Sequence, residues 1–349
     1  MAEIFKFGSL HKVNTYRKLT NNGARKFLKA AVYHGPENIK VENVPEPQVK
    51  GRKVLVRFGA GSICGTDLHL WRGDWKIKRG RIIGHDAWGV REDTDERVVM
   101  VPLAWCGKCY YCLRGHPSLC ERVLYYGLTK GGFFADYVAL RERNLIPLPD
   151  AVSDEEAAII EPVALALHTL DLLNPNADDY ATILGLGPVG LLMMQVAKLK
   201  GCRLIVIDKE EYRLKLAMKL GADYCINAAE EDVPKRVKEI TTRGSDIVVE
   251  AAGSSKTVEQ TPFLVRKAGR VALVGEFEGN MNFGDADEAF FFTTYISPLE
   301  YPTAIDLVAR KKINVQSMVT HQFKLENFED AIRTAVDPAQ KAIKVLVMA

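Results

Sequence analysis

At 349 residues and 47% apolar composition, the chain is long enough to bury full cores and to divide into two domains. Its net charge of +3 excludes the strongly basic surface that nucleic acid or an anionic membrane would select. The longest uncharged run, Tyr180 to Ala197, is short for a bilayer span and is interrupted by three glycines and a proline, so no transmembrane helix is expected.

Met1 to Phe27 is basic but has no apolar stretch and no small-residue cleavage site. It reads as a mobile or subunit-contacting arm rather than a secretory signal, and a cytoplasmic, reducing compartment is expected. From Leu28 to about Pro149 the apolar runs KAAVY, KVLVRF, RVVMVPL and FADYVAL alternate with Gly, Pro and charged turns, which predicts a β-rich domain. Within it lie GSICGTDLH and GHD, whose Cys64 and His85 are the residue types of a zinc site with three protein ligands and one open position. Next comes CGKCYYCLRGHPSLC, with Cys106, Cys109, Cys112 and Cys120 in C-x2-C-x2-C-x7-C spacing. Reducing conditions keep such thiols unpaired, and four thiolates close a tetrahedron around Zn2+ with no position left for substrate. The lobe is read as a structural zinc site; an iron–sulfur cluster or a metal-free relic are the alternatives.

After Asp150 the apolar spacing becomes helical in SDEEAAIIEPVALALHTLDLL, with Ser153 as N-cap and Glu156 completing a capping box. The strands ATILGLG, RLIVID, SDIVVEAAG and RVALVGEF then alternate with helical stretches such as YRLKLAMKLGA, the pattern of a doubly wound parallel sheet. The first strand runs into Gly185-Leu186-Gly187-Pro188-Val189-Gly190, and the second ends in Asp208. Gly185 permits a tight turn, Gly187 lets the backbone approach a pyrophosphate, and Gly190 lets the helix pack closely. The Asp208 carboxylate suits free ribose hydroxyls and repels a 2′-phosphate, favouring NAD over NADP, while nearby Lys209 and Arg213 leave some NADP use open.

Together, LKAAVYHGP, CGTDLH, GHD, the four-cysteine lobe, GGFFADYV, IIEPVALALH and GLGPVG resemble the zinc-dependent medium-chain dehydrogenase/reductase superfamily, nearest its sorbitol (polyol) and threonine dehydrogenase branch. The resemblance implies an α/β protein with a GroES-like β-rich catalytic domain and a Rossmann domain. Residues 1–27 would be an extension, 28–155 the catalytic domain, 156–295 the NAD-binding domain and 296–349 a segment returning to the catalytic domain. It implies two zinc ions per chain, NAD, a homo-oligomer (dimer or tetramer) and a small-molecule alcohol as substrate. Ligands of the catalytic zinc would be Cys64, His85 and Glu161, with Asp86 approaching the metal or sitting just behind it. Thr66 is placed to take the alcohol proton, His69 to pass it outward, and Asp67 to orient His85. Trp71, Trp75, Tyr125, Tyr126 and Thr129 lie in segments that border the cleft. Asp86 departs from the usual Glu and is one methylene shorter, and Glu161 has the longer reach. The expected reaction is oxidation of a secondary alcohol of a polyol, cyclitol or aminocyclitol to the ketone. L-Threonine or vicinal-diol oxidation, or a non-catalytic NAD(H)-binding zinc scaffold, are the other readings.

Overall fold

A computed structural model describes residues 28–276 and 287–349, so the expected basic arm lies outside the described residues. The chain begins with β1 (Leu28–Gly35), β2 (Asn38–Val44) and β3 (Lys53–Ser62), followed by α1 (Gly65–Arg72). The short β4 (Arg81–Ile82), β5 (Asp86–Arg91), β6 (Arg97–Met100) and β7 (Leu103–Ala104) come next. One helical turn, α2 (Tyr110–Leu113), lies in the cysteine lobe before β8 (Leu124–Tyr125), β9 (Tyr137–Arg141) and β10 (Leu145–Pro147). In β3 the alternation works as read: Val54, Val56 and Phe58 are buried, whereas Arg57 is exposed.

Ser153 caps α3 (Asp154–Ala157) through the expected reciprocal bonds with Glu156, but the helix does not run on to Leu173. Pro162 lacks an N–H and would clash with the carbonyl of Ala158, so the chain restarts as α4 (Ile160–Leu173) with the proline in its first turn. The second half comprises β11 (Tyr180–Leu184), α5 (Pro188–Leu199), β12 (Arg203–Asp208), α6 (Glu211–Lys219), β13 (Tyr224–Asn227) and α7 (Val233–Thr241). It continues with β14 (Ser245–Glu250), α8 (Ser255–Leu264), β15 (Val265–Leu273) and β16 (Phe290–Thr293). These strands are ordered β13-β12-β11-β14-β15-β16, with every pairing parallel. The strand order reverses between β11 and β14, where open α/β sheets leave a crevice for ligand.

The chain then passes through α9 (Tyr301–Ala309), β17 (Val319–Lys324), α10 (Phe328–Val336) and β18 (Lys344–Met348). β18 pairs antiparallel with β3 and parallel with β17, giving the order β10-β6-β5-β3-β18-β17 with β9 also on β3. The end of the chain therefore completes the sheet that its beginning starts, and Lys344 lies beside residues near position 63.

Candidate active site

Antiparallel register sets Ser62, at the end of β3, opposite Asp86, at the start of β5. Cys64 and His85, just beyond these positions, are thereby brought together. The turn into His85 runs through Gly84 at φ +89°, where a Cβ would run into the Phe134 ring. Cys64 is the N-cap of α1, and its N–H donates to Asp67 Oδ2 at 2.9 Å. Cys64, His85 and Asp86 offer ligand atoms that all lie within 4.8 Å of one another.

Asp86 Oδ1 lies 3.3 Å from His85 Nε2 and, though buried, accepts no hydrogen bond. Its Oδ2 accepts from Ser62 Oγ and Lys344 Nζ, both at 3.2 Å. A buried carboxylate oxygen without a donor, beside a thiol and an imidazole nitrogen, is a fit for a divalent cation, and this sulfur–nitrogen–oxygen set suits Zn2+.

Glu161, in the first turn of α4, is buried and accepts from the Tyr125 hydroxyl at 3.3 Å. It offers no atom to the cluster; the third atom is that of Asp86, which the strand register and Lys344 hold beside His85. Burial and the neighbouring Asp86 push the Glu161 carboxyl well above its ordinary value. For His85, burial opposes the charged form, but Asp86, Cys64 and Asp67 outweigh it and raise the imidazole well above its usual range. Acids crowded in a dry pocket hold protons that a cation between them would displace.

The remaining expected residues divide. Asp67 makes no hydrogen bond to His85: Oδ2 is taken by the Cys64 N–H, Oδ1 has no hydrogen-bond partner, and the two side chains interact through charge. His69 Nδ1 lies 2.9 Å from Asp74 Oδ2, and its ring stacks on Trp75 with centroids 5.2 Å apart. A proton donated from Nδ1 to that carboxylate leaves Nε2 as the acceptor. Thr66, His69, Trp75 and Tyr125 line a cleft of about 370 Å³ whose opposite wall includes Val189, Gly253 and Gly275. Trp71 and Tyr126 are core residues instead, and Thr129 braces the Tyr125 backbone through its hydroxyl at 2.7 Å.

In the turn that carries Val189, Gly185 has φ +89°, and a Cβ on Gly190 would overlap the Gly185 carbonyl oxygen. Gly187 is the N-cap of α5, Pro188 opens the helix, and nothing lies within 4 Å of a Cβ built on Gly187. This open, amide-lined helix start is a place for a pyrophosphate. Asp208 stands at the end of β12 as expected, but Oδ2 accepts from the Leu186 N–H at 2.7 Å and Oδ1 from the Glu210 N–H at 2.9 Å. Arg213 approaches Asp208 to 3.7 Å and partly offsets its charge.

The other cysteines form a separate centre. The sulfurs of Cys106, Cys109, Cys112 and Cys120 all lie within 4.8 Å of one another, and none of the four residues lines the cleft. Backbone N–H groups of Cys106 and Arg122 donate to Cys120 Sγ at 3.2 and 3.3 Å. Amide donation, from Cys112 foremost, holds the Cys109 thiol down at about 6. Amides aimed at sulfur stabilise thiolates, the form that binds metal.

Known proteins match along most of the chain. Residues 50–150 match the family described as alcohol dehydrogenase GroES-like domain, and residues 188–310 match zinc-binding dehydrogenase. The sorbitol dehydrogenase of Bacillus subtilis is 32% identical over 341 residues, covering 92% of this chain and 97% of the relative. The chain belongs to the zinc-dependent medium-chain alcohol dehydrogenases. The L-threonine 3-dehydrogenase of Pyrococcus furiosus is 33% identical over 87% of this chain and 93% of its own. A zinc-binding dehydrogenase from Sinorhizobium meliloti, solved bound to NADP, superimposes with a TM-score of 0.85 at 29% identity, covering 93% of this chain and 99% of that one. Within this alcohol dehydrogenase, sequence reasoning missed Lys344, Tyr295 and Arg72. Lys344 is buried against Asp86, Tyr295 meets the Tyr125 ring at 5.7 Å, and Arg72 lines the cleft. The run RGDWKIKRGR carried a signal for the last of these in its density of positive charge.

Proposed function

We infer that this alcohol dehydrogenase oxidises a secondary alcohol of a polyol, cyclitol, aminocyclitol or similar hydroxylated small molecule to the ketone, with NAD as hydride acceptor. The observation that carries this reading is the convergence of Cys64, His85 and Asp86, the first two of them lining a cleft that reaches Val189 of the glycine-rich turn. Cys64, His85 and Asp86 would hold the catalytic zinc with Glu161 close behind, and the four-cysteine lobe would hold a structural one. When bound, the catalytic zinc supplies Lewis acidity that favours loss of the alcohol proton. Thr66 accepts that proton, and His69, held by Asp74 and Trp75 with Nε2 free, passes it outward. Gly185, Gly187, Val189 and Gly190 seat the pyrophosphate, and Asp208 faces the ribose. On this reading the division into residues 28–155 with 296–349 and residues 156–295 would set these two sites on opposite walls. The four reduced cysteines of the lobe fit a cytoplasmic enzyme, and we place it there as a homo-oligomer.

Similarity to an L-threonine 3-dehydrogenase keeps threonine as the second reading. The test is a panel of polyols, vicinal diols, cyclitols and threonine with NAD or NADP, followed by absorbance at the reduced nicotinamide band, on protein of measured zinc content. Turnover of hydroxylated substrates with NAD is expected. Fully zinc-loaded protein that oxidises none of them with either cofactor refutes the reading.

A further inference from the structure

The segment from Arg72 to Arg81, RGDWKIKRGR, carries Arg72, Lys76, Lys78, Arg79 and Arg81 against a single acid, Asp74, whereas the whole chain is only +3. Asp74 is already engaged, with Oδ2 at 2.9 Å from His69 Nδ1. The side chains of Arg72, Lys76 and Lys78 make no hydrogen bond or ion pair with any described residue. Arg81 donates one guanidinium N–H to the Leu128 carbonyl and has other N–H groups to spare.

These cations gather at the substrate end of the molecule. Arg72 lines the catalytic cleft itself. Lys76, Lys78 and Arg81 line a second, more open cavity of about 780 Å³, walled in common with the first by Trp75 and Leu128. A small molecule with its alcohol at Cys64 and His85 therefore extends along Trp75 toward unpaired positive charge. A neutral polyol has no use for those charges. A ligand with an anionic terminus would accept hydrogen bonds from Arg72 and neutralise the lysines, and the cleft walls would focus their field on it.

We propose that the substrate is a hydroxylated molecule carrying an anionic group, a phosphate monoester or a carboxylate, which the Arg72–Arg81 segment binds while the alcohol lies at the Cys64–His85–Asp86 cluster. This rests on the alcohol dehydrogenase reading above and narrows its substrate class.

The test compares kcat/KM for a sugar-alcohol phosphate, the matching aldonate and the neutral parent polyol. It uses the zinc-loaded enzyme and its Lys76→Gln/Lys78→Gln and Arg72→Gln variants. The better anionic substrate is expected to exceed the neutral parent by roughly tenfold or more, and each variant to lower that ratio several-fold, a tenfold change corresponding to about 1.4 kcal/mol. The advantage should shrink as salt rises, because rim charges are screened. Phosphate above aldonate identifies a phosphate monoester, and the reverse a carboxylate. A second readout is independent of turnover: inorganic phosphate raises the melting temperature of the wild-type enzyme and raises that of the double variant less. A neutral parent oxidised as well as both anions, a ratio unchanged in the variants, or a phosphate effect equal in wild type and variant overturns the anion site. Failure to oxidise any of the three with NAD or NADP overturns the dehydrogenase reading instead, and phosphate binding still decides the anion site.

Discussion

Lys344→Met removes a lysine held in the interior beside the proposed metal site. Lys344 is 2% exposed and Asp86 0%, with Nζ donating to Asp86 Oδ2 at 3.2 Å and to the Ile63 carbonyl at 3.1 Å. Burial disfavours the ammonium, but Asp86 and Cys64 outweigh it and raise the lysine above its ordinary value, so Lys344 keeps its charge in the folded protein. Methionine matches the lysine stem in volume and leaves Asp86 a buried charge without its cation. Breaking a buried pair from one side costs about 3–5 kcal/mol, a large part of the ~5–15 kcal/mol that holds a typical domain folded. Removing both charges, in Asp86→Asn/Lys344→Met, should recover most of that loss, since two neutral groups need no mutual compensation. All four tryptophans, Trp71, Trp75, Trp88 and Trp105, lie within 35 residues of one another, so urea unfolding followed by their fluorescence reports on the core around that stretch. The wild type and the two variants should be compared at equal metal content. A single variant within about 1 kcal/mol of wild type, or a double variant no more stable than the single, would refute the reasoning.

Three other outcomes follow. Cys64→Ala should abolish alcohol oxidation and lose one zinc without lowering the melting temperature by more than a few degrees, whereas Cys109→Ala should lose stability first and activity in consequence; metal analysis beside thermal melts checks both. Under mild chelation Asp86→Ala should lose the catalytic metal sooner than Glu161→Ala, with both retaining the zinc of the cysteine lobe, and earlier loss from Glu161→Ala would make Glu161 the ligand. Finally, Glu161 and His85 both have raised values in the folded, metal-free protein. Their contribution to stability is therefore full below their ordinary values of 4.5 and 6.5 and is lost as pH rises through the raised folded values. Metal-free enzyme should accordingly be less stable at neutral than at mildly acidic pH, and zinc binding at neutral pH should release protons measurable by calorimetry in buffers of different ionisation enthalpy.

Much of the site was readable because its chemistry is local in the chain. The four lobe cysteines lie within fifteen residues, so their spacing alone brings the sulfurs together, and the glycines from Gly185 to Gly190 answer steric demands inside one turn. The alternation of RLIVID, SDIVVEAAG and the intervening helices likewise specifies a parallel sheet, because each strand covered on both faces must be apolar throughout. The helical spacing across Ser153–Leu173 is realised as two helices, divided where the steric effect of Pro162 overrides apolar periodicity.

From the sequence alone came the ligand types, the glycine-rich turn, the cysteine lobe and the two-part fold, since each depends on neighbours a few residues apart. Tertiary structure alone decided which carboxylate stands with Cys64 and His85. That choice depends on the Ser62–Asp86 register of two strands and on a lysine 258 residues away that β18 carries into the same sheet. It also decided that Trp75 stacks on His69 while Trp71 is core, and that the cations after Arg72 share cavity walls with the catalytic cleft. A side chain's residue type belongs to the chain, but its partners are set by packing between segments far apart in it, and the charge of a buried group depends on those partners.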